Sequence, residues 1–84
     1  MKNILTRQVA ERVSAQFPAE QHDEVLQALS LYGLDPAEPE AEAVHLAILT
    51  LADGDLDEVY DYVLYAKQDY ADTIAWARSK READ

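Results

Sequence analysis

Cysteine is absent from the chain. That removes disulfides, thiolate nucleophiles and sulfur-rich zinc sites as sources of stability or chemistry. Glycine is nearly absent as well, two residues in 84, so no glycine-rich loop is available to cradle a phosphate. Positive charge is scarce: seven Lys and Arg stand against seventeen Asp and Glu, a net charge of -10. Direct binding to DNA or RNA is disfavoured, because affinity for phosphate comes from Lys and Arg displacing counterions. A long uncharged apolar run is also missing. The segment MKNILTRQVAERV is interrupted by Arg7, Glu11 and Arg12, whereas a membrane span needs roughly 20 apolar residues and a signal peptide an uninterrupted apolar centre. The expectation is a cytoplasmic protein without a membrane segment. No alternating run of β-branched residues is present, so strands are not expected.

What remains is 49% hydrophobic residues with helical periodicity, and it predicts an all-α fold: one compact domain over residues 1–84, a bundle of four to five short helices. Leu5, Val9, Val13 and Phe17 recur every four residues in a first helix over about 3–16. Pro18 marks the start of a second, about 19–32, with Val25, Leu29 and Tyr32 inward, ending at Gly33 with Leu34 over the cap. The connector 33-GLDPAEPEAEA-43 carries Asp35 before Pro36, which suits a capped turn, and Pro39 as the start of a third helix, about 39–52. Glu40 and Glu42 would complement the positive end of its dipole. Val44, Ala47, Ile48 and Leu51 share one face while Leu46 and Leu49 point elsewhere. A helix apolar nearly all round belongs at the centre of the bundle. A fourth helix is expected over about 56–67 with Leu56, Val59, Tyr60 and Val63 inward. The fifth, about 70–80, is capped by Asp69 with Asp72 at its third position.

The stretch 51-LADGDLDEVYDYV-63 has the look of a calcium loop, with Asp53, Asp55 and Asp57 alternating. An EF-hand loop starting at Asp53 would need glycine at its sixth position and glutamate at its twelfth. Those positions hold Glu58 and Leu64. A helix stop at Asp53-Gly54 and a capping box opened by Asp55, with Glu58 three residues on, accounts for the same residues. The alternative function that this junction keeps open is a carboxylate-based metal-binding or metal-dependent hydrolytic protein. His22 and His45 are too few for a histidine zinc site and read as boundary residues with hydrogen-bonded rings. His45, on the central helix, should be partly buried, and its charging should oppose folding. Ser14, Ser30, Ser79, Thr6, Thr50 and Thr73 are scattered, with no strand-to-helix elbow around any of them. No catalytic residue, metal ligand or cofactor is assigned, and the chain reads as a non-enzyme.

The surface offers more. From Glu20 to Asp72 there are fourteen acidic residues and one basic residue, Lys67. Such an excess serves solubility in most proteins, and it also permits a basic partner. Tyr62 and Tyr65 fall on the outer half of the fourth helix with Glu58 and Asp61. Trp76 falls almost opposite the Tyr70, Ile74 and Ala77 face of the fifth, beside Asp72. Trp and Tyr anchor interfaces more often than other side chains; the simpler reading is that Trp76 packs on an earlier helix. The expected role is an acidic protein-interaction module, an adaptor or regulator, with Tyr62, Tyr65, Trp76, Glu58, Asp61 and Asp72 as partner-binding residues and a homodimer as one form of that interaction.

The pieces 44-VHLAILTLADGDLDEVYDYVLYAKQDY-70 and 71-ADTIAWAR-78 together resemble a group of small bacterial all-helical proteins with no assigned activity. These share the order helix, Gly-Asp-Leu break, helix, Asp-Tyr/Trp, Ala-Trp-Ala. The resemblance covers under half the chain. It implies a helical fold and a bacterial cytoplasmic setting, and it carries no functional residue. A fainter likeness to ubiquitin-associated three-helix modules rests on Tyr32-Gly33-Leu34 and 54-GDLDEVYDYVL-64. It is set aside, because the intervening helix is too long and two further helices have no counterpart.

Overall fold

The computed structural model describes residues 5–34 and 37–83. Its elements are α1 (Arg7–Gln16), a 3-10 turn (Ala19–Gln21), α2 (His22–Ser30), α3 (Ala41–Ala52), α4 (Leu56–Gln68) and α5 (Tyr70–Ala83); among the described residues there is no strand. The radius of gyration is 11.7 Å, against about 12 Å for a compact chain of this length. Among the described residues, no helix is long and apolar enough to cross a membrane.

Helix α3 is the central element. It packs most extensively on α5, then on α4 and α1, while α2 closes over α4 and α1. Val44, His45, Ala47, Ile48, Leu49 and Ala52 are all buried along its length. Leu49 is wholly buried, whereas Leu51 is only half-buried, so the inward face turns toward Leu49 and away from the expected Leu51. Val9, Val13 and Phe17 of the first stripe are buried, with Leu5 packed against them.

Several helix ends differ from expectation, each for a local reason. Helix α1 starts at Arg7 because the Thr6 hydroxyl accepts the Val9 N–H at 3.3 Å, with Thr6 in extended geometry; the expected start at Asn3 lies outside the described residues. Pro18 opens the 3-10 turn, and α2 begins at His22. Helix α2 then ends at Ser30, short of Gly33. Leu34, expected over the cap, is 66% exposed. The expected Asp35–Pro36 turn lies outside the described residues. Helix α3 begins at Ala41 after Glu40, whose φ of 55° is left-handed and incompatible with a helical residue, so Pro39 does not start it. Glu42 alone is in the first turn. Helix α5 runs on past Lys80 to Ala83.

The connector is tied down by groups distant in sequence. The Tyr32 hydroxyl donates to the Pro39 carbonyl at 2.8 Å, and the Gly33 N–H donates to Glu38 Oε1 at 2.8 Å. Glu38 Oε2 meets Lys67 Nζ of α4 at 2.7 Å. Thus the one basic side chain of the acidic midsection holds the connector against the bundle.

Candidate functional site

The α3–α4 corner answers the question of the alternating aspartates. Asp53 ends α3 in left-handed geometry, φ 50°, with its N–H on the Leu49 carbonyl at 3.1 Å. Gly54 follows at φ 87°, and a Cβ there would lie 3.2 Å from the Gln16 carbonyl oxygen, so glycine is needed both for the turn and for the approach of α1. Asp55 Oδ1 accepts the N–H groups of Asp57 at 2.9 Å and Glu58 at 3.4 Å. The reciprocal half of a capping box does not form, because the Asp55 N–H is taken by the Ala52 carbonyl at 3.0 Å. Asp53, Asp55 and Asp57 do border one open depression with Gln21, Gly54 and Leu56. Even so, no group of three His, Asp or Glu side chains among the described residues converges to hold a metal ion, and Asp53 is drawn to Lys80 Nζ at 3.9 Å.

The hydroxyls are likewise used by the backbone. Thr73 is wholly buried and donates to the Asp69 carbonyl at 3.1 Å, Thr50 donates to Leu46 at 3.0 Å, and Ser30 donates to Gln27 at 2.7 Å. None of the three is paired with a base. His22 Nε2 donates to the Phe17 carbonyl at 2.8 Å from a half-buried position. His45 goes further than expected and is wholly buried. Its Nε2 donates to the Tyr32 carbonyl at 2.9 Å, which leaves Nδ1 as the unprotonated nitrogen, buried and without a partner. Burial holds this imidazole below its ordinary pKa, against a smaller opposing pull from the Tyr32 and Leu29 carbonyls and from Glu42.

The aromatic side chains gather at the α4–α5 surface. Asp69 serves both helices: its N–H closes α4 on the Tyr65 carbonyl at 2.9 Å, and its carboxylate accepts the Asp72 N–H at 3.1 Å as α5 starts. This one-residue hinge brings Tyr65 and Trp76 into an offset stack, with centroids 4.7 Å apart and planes at 23°. The Tyr65 hydroxyl donates to Asp72 Oδ2 at 3.3 Å. Partial burial, then the carboxylates of Asp72 and Asp69, hold the phenol above its ordinary pKa. Trp76 keeps 45% of its surface exposed. It therefore both packs on an earlier helix and faces solvent.

Of the six residues expected at a partner surface, the structure brings together Tyr65, Trp76 and Asp72. Glu58 and Asp61 are exposed one to two turns before Tyr65 on the same face of α4. Tyr62 is corrected: it is half-buried and packs against the core, while Tyr60, expected inside, is 37% exposed and donates to Glu24 at 3.1 Å. The inward face of α4 is Val59, Val63 and Ala66. Leu64, between Val63 and Tyr65, is 61% exposed on α4; a single leucine outside the inward stripe gives no pattern to read.

No protein-family model, no curated protein and no solved structure matches this chain.

Proposed function

We propose that this chain is a non-enzymatic protein-interaction module that takes a basic segment of a partner onto the α4–α5 surface. The observation that supports this is the Tyr65–Trp76 stack, nearly half of its indole left in water and bordered by carboxylates. A Lys or Arg placed over an indole face gains cation–π attraction. Asp72 beside the stack, and Asp61 and Glu58 along α4, supply acceptors for neighbouring cations of the same segment. The stack is held in place by the Asp69 hinge and the Tyr65–Asp72 hydrogen bond, so little ordering remains to be done on binding.

Trp76 is the sole tryptophan, and its fluorescence reports this surface alone. Titration with an Arg- and Lys-rich peptide is expected to give a saturable change that weakens with added salt and is lost when Asp61 and Asp72 are both changed to Asn. An unchanged spectrum, or an equal response in the Asp61→Asn/Asp72→Asn variant, refutes the reading. Occupation of the same face by a second copy of the chain is separated by sedimentation velocity over a concentration series.

A further inference from the structure

The second chemically distinctive surface lies on the other side of α5. A groove of about 320 Å³ runs between α1, α3 and α5. Its floor is apolar: Ala47 and Ala77 are buried, and Leu46 and Ile74 are left half-exposed to the opening. Its rims carry Arg12 from α1 and Arg78 and Arg81 from α5, and none of its lining residues is acidic.

In a chain with seventeen carboxylates and seven Lys and Arg, every arginine would be expected to find a partner. Yet among the described residues the ion pairs are Arg7–Glu11, Lys67–Glu38 and Lys80–Asp53. The three arginines of the groove belong to none of them. Arg12 is positioned by a hydrogen bond from Nη2 to Thr50 Oγ1 at 3.0 Å, and Thr50 in turn donates to the Leu46 carbonyl. Lys80, the remaining cation nearby, donates to the Thr50 carbonyl at 3.1 Å. Its charge is used on the last turn of α3, where a cation is favoured, and it leaves the guanidiniums uncompensated.

We propose that this groove binds a small amphiphilic anion, with a carboxylate or phosphate head between Arg12, Arg78 and Arg81 and a short apolar tail over Leu46 and Ile74. Guanidinium forks match both head groups in bidentate geometry, and the volume is at the lower end of small-molecule sites. The chain's overall charge selects for size. The Debye length at physiological salt is about 8 Å, while the molecule extends 32 × 30 × 21 Å. A small ligand therefore feels mainly the guanidiniums beside it. A polyanion lying across the surface would also meet the carboxylates of a chain with net charge -10.

The test is two-dimensional NMR of the full chain titrated with octanoate and, separately, octyl phosphate, with inorganic phosphate as head-only and octan-1-ol as tail-only controls. At least one amphiphile is expected to shift groove resonances saturably, with each control weaker by roughly tenfold or more. The Arg78→Gln/Arg81→Gln variant is expected to weaken that binding by roughly tenfold or more, since each lost charge-assisted hydrogen bond is a large share of a small ligand's affinity. Both arginines are exposed, so the variant folds, as an unchanged circular dichroism spectrum and Trp76 emission will verify. Three results overturn the proposal: no saturable shift with either amphiphile, octan-1-ol binding as well as they do, or binding indifferent to the double substitution. Binding of an oligoglutamate peptide in place of the amphiphiles overturns it too, in favour of an acidic protein partner. The outcome is independent of the basic-peptide titration, which reads the opposite flank of α5.

Discussion

His45→Gln isolates one buried ionisation from all others. In the folded chain the ring is wholly buried, with Nε2–H on the Tyr32 carbonyl, an edge-on contact to the Tyr32 ring at 6.3 Å, and Nδ1 unpartnered. A proton added to Nδ1 would charge a desolvated ring, and that burial outweighs the opposing pull of the Tyr32 and Leu29 carbonyls and Glu42, which is why the native pKa is lowered. In the unfolded chain the imidazole titrates near its ordinary value of about 6.5. Below that pH the unfolded state takes up a proton that the folded state refuses, so stability, complete above it, falls as pH drops from about 6.5 toward the native pKa. The slope approaches about 1.4 kcal/mol per pH unit. The most that one histidine can remove between about pH 7 and pH 5.5 is about 1.3 kcal/mol, a substantial part of the 5–15 kcal/mol typical of a native domain. Glutamine can place its amide nitrogen where Nε2 stands and keep the bond to Tyr32, but it does not titrate. Urea denaturation followed by circular dichroism at closely spaced pH values should therefore show a variant of lower absolute stability whose acid limb in this window is flat. His22→Gln serves as the control for the second histidine. Retention of the wild-type slope in His45→Gln would refute the assignment.

Three further outcomes follow from the packing. Gly54→Ala forces a side chain into left-handed geometry and toward the Gln16 carbonyl oxygen, and should cost about 1–2 kcal/mol, read as a lower denaturation midpoint at constant slope. Asp55→Ala removes the acceptor for the Asp57 and Glu58 N–H groups; a loss of about 1 kcal/mol is expected, whereas Asp57→Ala, which removes no cap, should be nearly neutral. A double-mutant cycle on Glu38 and Lys67, whose pair is partly exposed, should give a coupling of about 0.5–1 kcal/mol that shrinks with salt, and zero coupling would detach the connector from α4.

The parts of the fold legible in the sequence are those decided within one helix or one turn. The four-residue stripe of α1, the burial of α3 and the cap at Asp55 depend on neighbours three or four positions away, and the helical period displays them. The inward face of α4 is less legible, because Tyr60 outweighs Ala66 in hydrophobic bulk, yet Ala66 is the buried residue and Tyr60 reaches over the surface to Glu24. The ends of the α2–α3 connector are not legible in the sequence, because its conformation is set by Tyr32, Glu38 and Lys67 together, a combination that no local window contains. For the same reason the sequence suggested Trp76 and Tyr65 as separate surface aromatics but not their stack, which depends on the angle fixed at Asp69.

A net charge of -10 describes neither of the surfaces on which α5 reports. Thr73 and Ala77 are buried along its middle, seated on α3. On one flank Asp72 and Trp76 adjoin Tyr65 of α4; on the other, Arg78 and Arg81 face Arg12 across the groove. Three of the chain's four arginines thus line a groove with no acidic residue, and two of those three come from a helix whose opposite flank is acidic and aromatic. Ions distributed only for solubility would be interspersed, since neighbouring opposite charges cost nothing in water and lower the repulsion within the chain. Segregation by flank keeps each field intact over the few ångströms that salt leaves unscreened. That separation, together with the Tyr65–Trp76 stack, is the physical ground on which recognition is proposed for the two flanks of α5.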